Sequence, residues 1–236
     1  MRTDIPILLN THAHLEDDFR AALGELGRTF ERRALTSEEF SRLAPEFEIM
    51  VVSGGSRVDA ALLNQMPGLR MIADFGVGYD GLDLKACRAR GIRVSHTPGV
   101  MSEDVADTAL ALILNTVRGF ARAHEFVHQG EWEKRHFPLT RALYGLKFGL
   151  AGMGRIGQAI ARRLAIFPCC ELRYLARHEH PELPYQRCAT LKELALWCDV
   201  LVLALPADAS TRGMVDASVL EALGKDGYLI NIARGS

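Results

Sequence analysis

The feature that most constrains the fold of this chain is a glycine-rich segment with the spacing G-x-G-x-x-G. It reads Gly152-Met153-Gly154-Arg155-Ile156-Gly157. The apolar run 147–151 before it predicts a strand, and 156–167 after it has the apolar spacing of a helix. In this context the first glycine permits a tight turn, the second lets a pyrophosphate approach the backbone, and the third lets the helix pack on the strand.

We therefore predict that Gly152, Gly154 and Gly157 form the pyrophosphate site of a dinucleotide-binding fold. The backbone amides of Arg155 and Ile156 would point at the phosphate oxygens from the positive end of the helix. A tight strand-to-helix turn that holds no ligand is the alternative.

The strand after the glycine segment indicates which dinucleotide binds. NAD-binding folds usually carry Asp or Glu about 20 residues further on, where it holds the ribose 2′-hydroxyl. Here Leu175 and Ala176 stand at that strand end, and Arg177 follows. A guanidinium can clamp a 2′-phosphate, whereas a carboxylate would repel it. We predict NADP(H) as the cofactor with Arg177 as a ligand of its phosphate; use of NAD as well, with Arg177 a solvated loop residue, is the alternative.

Short apolar runs alternate with amphipathic stretches along the chain, an order typical of parallel sheets with right-handed crossovers. The predicted strands cover 5–9, 48–52, 69–73, 92–94, 147–151, 171–175, 200–205 and 228–232. The predicted helices cover 15–26, 60–65, 82–90, 102–128, 156–167, 191–197 and 217–223, with Ser102 as the N-cap of the long helix. We predict two doubly wound α/β domains, 1–100 and 101–236, the second incomplete because a six-stranded dinucleotide fold needs strands after residue 232.

Charge and cysteine usage exclude several classes of protein. Lys and Arg number 28 against 29 Asp and Glu, so no excess positive charge favours nucleic acid or an anionic membrane as a partner. The apolar runs are too short for a membrane span or a signal peptide. Five cysteines without a C-x-x-C motif favour free thiols over disulfides or a zinc site, as expected in the cytoplasm.

Several segments in fixed order complete the pattern. They are Phe75-Gly76-Val77-Gly78-Tyr79-Asp80, Thr97-Pro98-Gly99-Val100, Asp104-Val105-Ala106-Asp107, the stretch 149–157, the stretch 199–206 with Thr211, and Asn231-Ile232-Ala233-Arg234-Gly235-Ser236. Together they resemble the D-isomer-specific 2-hydroxyacid dehydrogenases, which include glyoxylate and hydroxypyruvate reductases. The resemblance spans nearly the whole chain.

The resemblance implies a fold and an activity. Residues 1–100 would form a flavodoxin-like substrate domain and the remainder a Rossmann-like coenzyme domain, with the substrate in the cleft between them. The helix after Ser102 would contribute to a homodimer interface. The reaction would be hydride transfer between NAD(P)H and a small 2-oxo acid or D-2-hydroxy acid, with glyoxylate or hydroxypyruvate as the expected substrate.

The resemblance also assigns roles to individual residues. Backbone amides of Val77 and Gly78 would hold the substrate carboxylate, as amides in a glycine-rich loop can. Arg234 would be the catalytic residue that binds the 2-oxo acid and polarises its carbonyl. The residues expected to border the cofactor are Val105 near the nicotinamide, Leu205, Pro206, Thr211 and Ile232.

One part of the family pattern falls outside this sequence. The histidine that donates a proton in the family, and the glutamate that orients it, would follow the arginine segment beyond Ser236. We therefore expect the chain by itself to bind cofactor weakly and turn over poorly. Two other functions stay open: a non-enzymatic dinucleotide sensor of the corepressor type, and a formate dehydrogenase-like enzyme with the same cofactor domain.

Overall fold

The computed structural model describes residues 4–12 and 15–235. The chain divides into two compact units, Met1–Val100 and Met101–Ser236. Each unit is built around a parallel β-sheet that is flanked by helices. The predicted pair of doubly wound α/β folds is thus confirmed.

The described part of the first unit contains five strands and four α-helices. The strands are β1 (Ile5–Asn10), β2 (Gly27–Glu31), β3 (Ile49–Ser53), β4 (Met71–Phe75) and β5 (Arg93–Ser95). The helices are α1 (Asp17–Leu26), α2 (Ser37–Leu43), α3 (Ala60–Asn64) and α4 (Leu84–Ala89). All neighbours are parallel in the order β2-β1-β3-β4-β5, which is the flavodoxin-like order.

The described part of the second unit also contains a five-stranded sheet. Its strands are β6 (Lys147–Ala151), β7 (Glu171–Leu175), β8 (Gln186–Arg187), β9 (Val200–Leu203) and β10 (Tyr228–Asn231). Its helices are α5 (Ser102–Arg118), α6 (Phe120–His128), α7 (Arg155–Leu164), α8 (Leu191–Trp197) and α9 (Ala217–Leu223). The parallel order β10-β9-β6-β7-β8 matches five strands of the Rossmann order. No helix among the described residues is both long and apolar enough to cross a membrane.

The central strand of the second sheet, β6, is covered on both faces. Phe148 and Leu150 are fully buried in a cluster with residues of α5 and α7. On the other face Gly149 lets α8 approach closely: a Cβ at Gly149 would lie 2.8 Å from Sγ of Cys198 and 2.9 Å from Cγ of Leu194. Burial raises the pKa of the Cys198 thiol to about 12. A fully covered central strand explains why β6 is predicted so readily from its apolar residues.

Helices α5 and α7 are also joined at their exposed edges by ion pairs. Arg163 lies 2.7 Å from the carboxylate of Glu103 and 2.6 Å from that of Asp107. Arg162 lies 2.7 Å from Glu103. These contacts fasten the helix that follows the glycine segment to the first turns of α5.

The predicted helix 102–128 is wrong in two respects. It is two helices, because Gly119 adopts a left-handed conformation with φ 64° that ends α5 before α6 begins. A left-handed glycine is a common helix terminator. Met101 is the N-cap and Ser102 is the first helical residue, so the predicted capping role of Ser102 is also wrong.

Two elements of the first unit and one of the second are absent from the predicted pattern. Strand β2 has one buried residue, Gly27, and therefore lacks an apolar run. Helix α2 is short, but it begins with a capping box in which the Thr36 side chain accepts from the Glu39 amide and the Glu39 carboxylate accepts from the Thr36 amide. Strand β8 is only two residues long, and both residues are exposed. These elements depend on pairing and capping more than on apolar periodicity.

Candidate active site

The glycine loop (152–157) connects the carboxyl end of β6 to α7. Gly152 has φ 107°, and its amide donates to the carbonyl of Leu175 over 2.9 Å. A Cβ at Gly152 would lie 2.6 Å from the carbonyl oxygen of Ala204, the residue after β9. This position therefore requires glycine both for its backbone conformation and for the close approach of the neighbouring strand.

The other two glycines of the loop serve different contacts. A Cβ at Gly157 would overlap the carbonyl oxygen of Gly152, so the start of α7 packs directly on the loop. A Cβ at Gly154 would meet no atom within 4 Å among the described residues, so the backbone is open on that side. Arg155 and Ile156 are the first residues of α7, where amides have no intrahelical partner. An open backbone before a helix N-terminus fits a dinucleotide pyrophosphate.

The strands on either side of β6 bring two charged side chains together. Arg177 follows the end of β7, and its guanidinium lies 3.5 Å from the Asp208 carboxylate in the loop after β9. Arg177 is exposed, as expected for a phosphate ligand at the surface. Sequence reasoning missed Asp208, because the two residues are 31 positions apart in the chain. The strand end itself carries no carboxylate, but the folded chain places the Asp208 carboxylate next to Arg177.

Three of the residues expected to border the cofactor line one pocket together with Arg234, whereas the glycine loop does not line it. The pocket has a volume of about 270 Å³, and its walls include Leu205, Pro206, Thr211 and Arg234. The Thr211 hydroxyl donates to the carbonyl of Pro206 over 2.8 Å, which closes the 205–211 loop on itself. The structure thus brings together residues from the ends of two strands, β9 and β10.

The arginine segment follows β10 and is held by its own asparagine. The Asn231 side chain accepts from the Ala233 amide and donates to the Arg234 carbonyl, both over 2.9 Å. The Ile232 amide donates to the carbonyl of Leu203, which fixes the segment to β9. Ile232 itself is half-buried against the core, with Arg234 exposed. Ser236, the last residue of the segment, lies outside the described residues.

Val105 is not among the residues that line this pocket. It is half-buried in the first turn of α5, where its amide donates to the carbonyl of Met101. Its place near the nicotinamide stays a prediction.

In the first unit, the predicted substrate loop (75–80) begins at Phe75, the last residue of β4. The Gly76 carbonyl accepts from the Thr97 amide over 2.9 Å, and Nδ1 of His96 lies 3.1 Å from the Val77 carbonyl oxygen. The His96 tautomer with a proton on Nδ1 donates to that oxygen. No hydrogen bond from the amides of Val77 and Gly78 appears within the part of the chain that the structure describes. The loop can therefore offer these two amides to an anion.

Sequence reasoning also missed a buried carboxyl group below this loop. Asp74 is 4% exposed on β4, and neither of its carboxylate oxygens has a hydrogen-bond partner among the described residues. A Cβ at Gly76 would lie 3.2 Å from Oδ1 of Asp74, so the carboxyl group supports the loop from beneath. Burial raises the pKa of Asp74, and nearby Asp80 adds to this effect while His96 opposes it. A single polar residue in an apolar strand was the available signal.

Comparison with known proteins identifies the family to which the chain belongs. Residues 110–236 match the family described as D-isomer specific 2-hydroxyacid dehydrogenase, NAD binding domain. The chain is 40% identical over 212 residues to 2-ketogluconate reductase from Gluconobacter oxydans, and this match covers 89% of this chain and 68% of that protein. It is 41% identical over 186 residues to glyoxylate/hydroxypyruvate reductase A from Arabidopsis thaliana, and this match covers 79% of this chain and 59% of that protein.

Solved structures agree with these relatives. One is the NADPH-dependent glyoxylate/hydroxypyruvate reductase from Sinorhizobium meliloti in complex with NADP and malonate. It is 37% identical, with a TM-score of 0.87, and the match covers 98% of this chain and 72% of that chain. The chain thus spans roughly two thirds of the length of these proteins. The chain belongs to the D-isomer-specific 2-hydroxyacid dehydrogenases, a family of NAD(P)-dependent oxidoreductases, as its sequence motifs predict.

Proposed function

We propose that the full protein transfers a hydride between NAD(P)H and a small 2-oxo acid or D-2-hydroxy acid, with glyoxylate or hydroxypyruvate as substrate. The observation that carries the proposal is the clustering of functional loops at one edge of the second sheet. The glycine loop follows β6, the 205–211 loop follows β9, and the Arg234 segment follows β10. In parallel α/β sheets, ligands bind outside the carboxyl ends of the strands. The names of the relatives from Gluconobacter and Arabidopsis support the substrate class.

In this proposal the two units bind different molecules or groups. Unit 101–236 binds the cofactor, which supplies the hydride when bound. The glycine loop and the N-terminus of α7 hold the pyrophosphate. The always-charged guanidinium of Arg234 holds the 2-oxo acid and polarises the carbonyl oxygen that gains negative charge. Unit 1–100 binds the substrate carboxylate through the amides of Val77 and Gly78.

NADP(H) is the proposed cofactor, with NAD(H) as a weaker alternative. Arg177 is exposed at the end of β7, where a 2′-phosphate can reach its guanidinium. The reductase from Sinorhizobium meliloti, which shares the fold, was solved with NADP.

We also propose a cytoplasmic homodimer. All five cysteines, each among the described residues, are free thiols, which suits a reducing compartment.

Helices α5 and α6 expose Leu112, Phe120 and Val127, and Trp132 is 60% exposed beyond them. An apolar surface of this kind fits a second copy of the chain. Light scattering of the full-length protein should give twice the monomer mass, and a monomer at all concentrations would refute the dimer.

The activity is tested with purified full-length protein and NADPH. Oxidation of NADPH is followed by absorbance with glyoxylate, hydroxypyruvate and 2-ketogluconate as substrates, and formate is tested with NADP⁺ and NAD⁺. We expect reduction of at least one 2-oxo acid and no oxidation of formate. Tight NADPH binding without reduction of any 2-oxo acid would favour a dinucleotide sensor, and oxidation of formate would favour a formate dehydrogenase.

A further inference from the structure

The ion pair between Arg177 and Asp208 joins the loops that follow the two strands on either side of β6. Ala151, the last residue of β6, pairs with Leu175 of β7 on one side and with Leu203 of β9 on the other. Strands β7 and β9 are therefore about 10 Å apart, with β6 between them. Arg177 follows β7, Asp208 follows β9, and their side chains meet at 3.5 Å. The pair thus connects the two strand ends that flank the predicted dinucleotide site.

Asp208 is held firmly in this position by its own loop. Its Oδ1 accepts from the Ser210 amide over 2.8 Å and from the Ser210 hydroxyl, and its own amide donates to the Thr211 hydroxyl over 2.9 Å. Hydrogen bonds from the Ser210 hydroxyl and then the Ser210 amide lower the pKa of Asp208, and Arg177 adds to this effect. Asp208 is therefore a fixed anion, and its second oxygen, Oδ2, faces Arg177.

We propose that Asp208 is a specificity-determining residue that competes with the 2′-phosphate of NADP(H) for the guanidinium of Arg177. The proposal rests on the dinucleotide site of the proposed function. The Asp208 carboxylate competes with a 2′-phosphate for the guanidinium nitrogen that it contacts, and it also repels the incoming phosphate. A ribose 2′-hydroxyl carries no charge, so NAD(H) meets neither opposition. Asp208 therefore reduces the difference in affinity between NADP(H) and NAD(H) that Arg177 creates.

The expected size of the effect follows from the exposure of the pair. Arg177 is 73% exposed and Asp208 is 39% exposed, so water screens their attraction. Removal of the carboxylate should tighten the binding of a 2′-phosphate ligand about two- to fivefold, the range of an exposed ion pair. High salt should diminish the difference, because it screens exposed charges.

Asp208→Asn is the suitable variant, because the asparagine oxygen can still accept from the Ser210 amide. Adenosine 2′,5′-bisphosphate and adenosine 5′-monophosphate are the probes, and their dissociation constants are measured by calorimetry on the full-length protein. We expect D208N to bind the bisphosphate more tightly and the monophosphate unchanged. Glu221→Gln, which removes an exposed carboxylate from α9, is the charge-matched control and should alter neither constant.

The variant Arg177→Ala completes a double-mutant cycle. With Arg177 absent, D208N should lose the part of its effect that comes from competition for the guanidinium, so its tightening of bisphosphate binding should be smaller than in the wild-type background. Equal tightening of both probes by D208N, or an undiminished effect in the R177A background, would overturn the proposal in favour of a general charge effect. A failure of the wild type to prefer the bisphosphate would instead contradict the proposed NADP site, so the two failures are distinguishable.

Discussion

Gly154 and Gly157 lie in the same glycine loop, and the structure predicts opposite results when each is replaced by alanine. The added methyl group at Gly154 would meet no described atom within 4 Å, and its φ of −75° suits any residue. The added methyl group at Gly157 would overlap the backbone oxygen of Gly152. The first change should therefore affect ligand binding and the second should affect folding.

The magnitudes follow from these contacts. In G154A, alanine lowers the conformational entropy of the unfolded chain, and this stabilisation offsets the weaker N-cap, so the free energy of unfolding should change by less than about 1 kcal/mol. The methyl group occupies the side on which the pyrophosphate would approach. Loss of one amide-to-phosphate hydrogen bond, worth about 1.5–3 kcal/mol, weakens NADP⁺ binding at least about tenfold. In G157A, overpacking against backbone should cost about 1–3 kcal/mol of stability.

Urea unfolding and calorimetry separate the two effects. Trp132 and Trp197 both lie in the second unit, so tryptophan fluorescence reports its unfolding. Calorimetric titration with NADP⁺ gives the binding constant for each folded variant. A stable G154A variant that binds NADP⁺ as tightly as the wild type would show that the open side of Gly154 does not face a pyrophosphate. Wild-type stability of G157A would contradict the packing of α7 on the loop.

Three further predictions concern single side chains. Arg234→Ala in the full-length protein should lower kcat/KM for the 2-oxo acid by about 100-fold or more while calorimetry shows unchanged NADP⁺ binding, and near-normal turnover would exclude the catalytic role. Burial raises the pKa of Asp74 in the folded state, so the folded protein holds this proton at a pH where the unfolded chain has lost it. The wild-type free energy of unfolding in urea should therefore fall as the pH rises from the unfolded pKa of Asp74 through its folded pKa. Asp74→Asn should remove this fall, and parallel pH profiles of the variant and the wild type would contradict the burial effect. N-ethylmaleimide at mildly alkaline pH should modify exposed Cys169 but not Cys198, whose pKa is raised to about 12, and mass spectrometry that finds Cys198 labelled in the native protein would contradict its burial.

The parts of the fold that sequence reasoning found are those with a local cause. The glycine loop was predictable because the strand, the turn and the helix are adjacent in sequence and each needs particular residues. Strand β2 was not predictable in the same way. Its only buried residue is Gly27, and it becomes a strand by pairing in parallel with β1. The break at Gly119 was missed because apolar spacing continues from α5 into α6, although a glycine there was a usable signal.

The candidate site shows the same division between local and distant causes. Arg177 was predicted from its place after a strand, but its partner Asp208 depends on how β7 and β9 flank β6. The buried state of Asp74 likewise depends on contacts from other parts of its unit. Charges that meet only in the folded chain leave no periodic trace in the sequence, so their roles emerge from the structure.

The close approach of α8 to β6 has a consequence for how this family can diverge. The space for a side chain at Gly149 is already filled by Cys198 and Leu194. A mutation that enlarges position 149 is tolerated only where position 198 or 194 has first become smaller, and glycine at 149 in turn permits bulk at those positions. We therefore expect residue sizes at positions 149, 194 and 198 to covary among homologues. A larger residue at position 149 should occur only in lineages that already have a smaller residue at position 194 or 198.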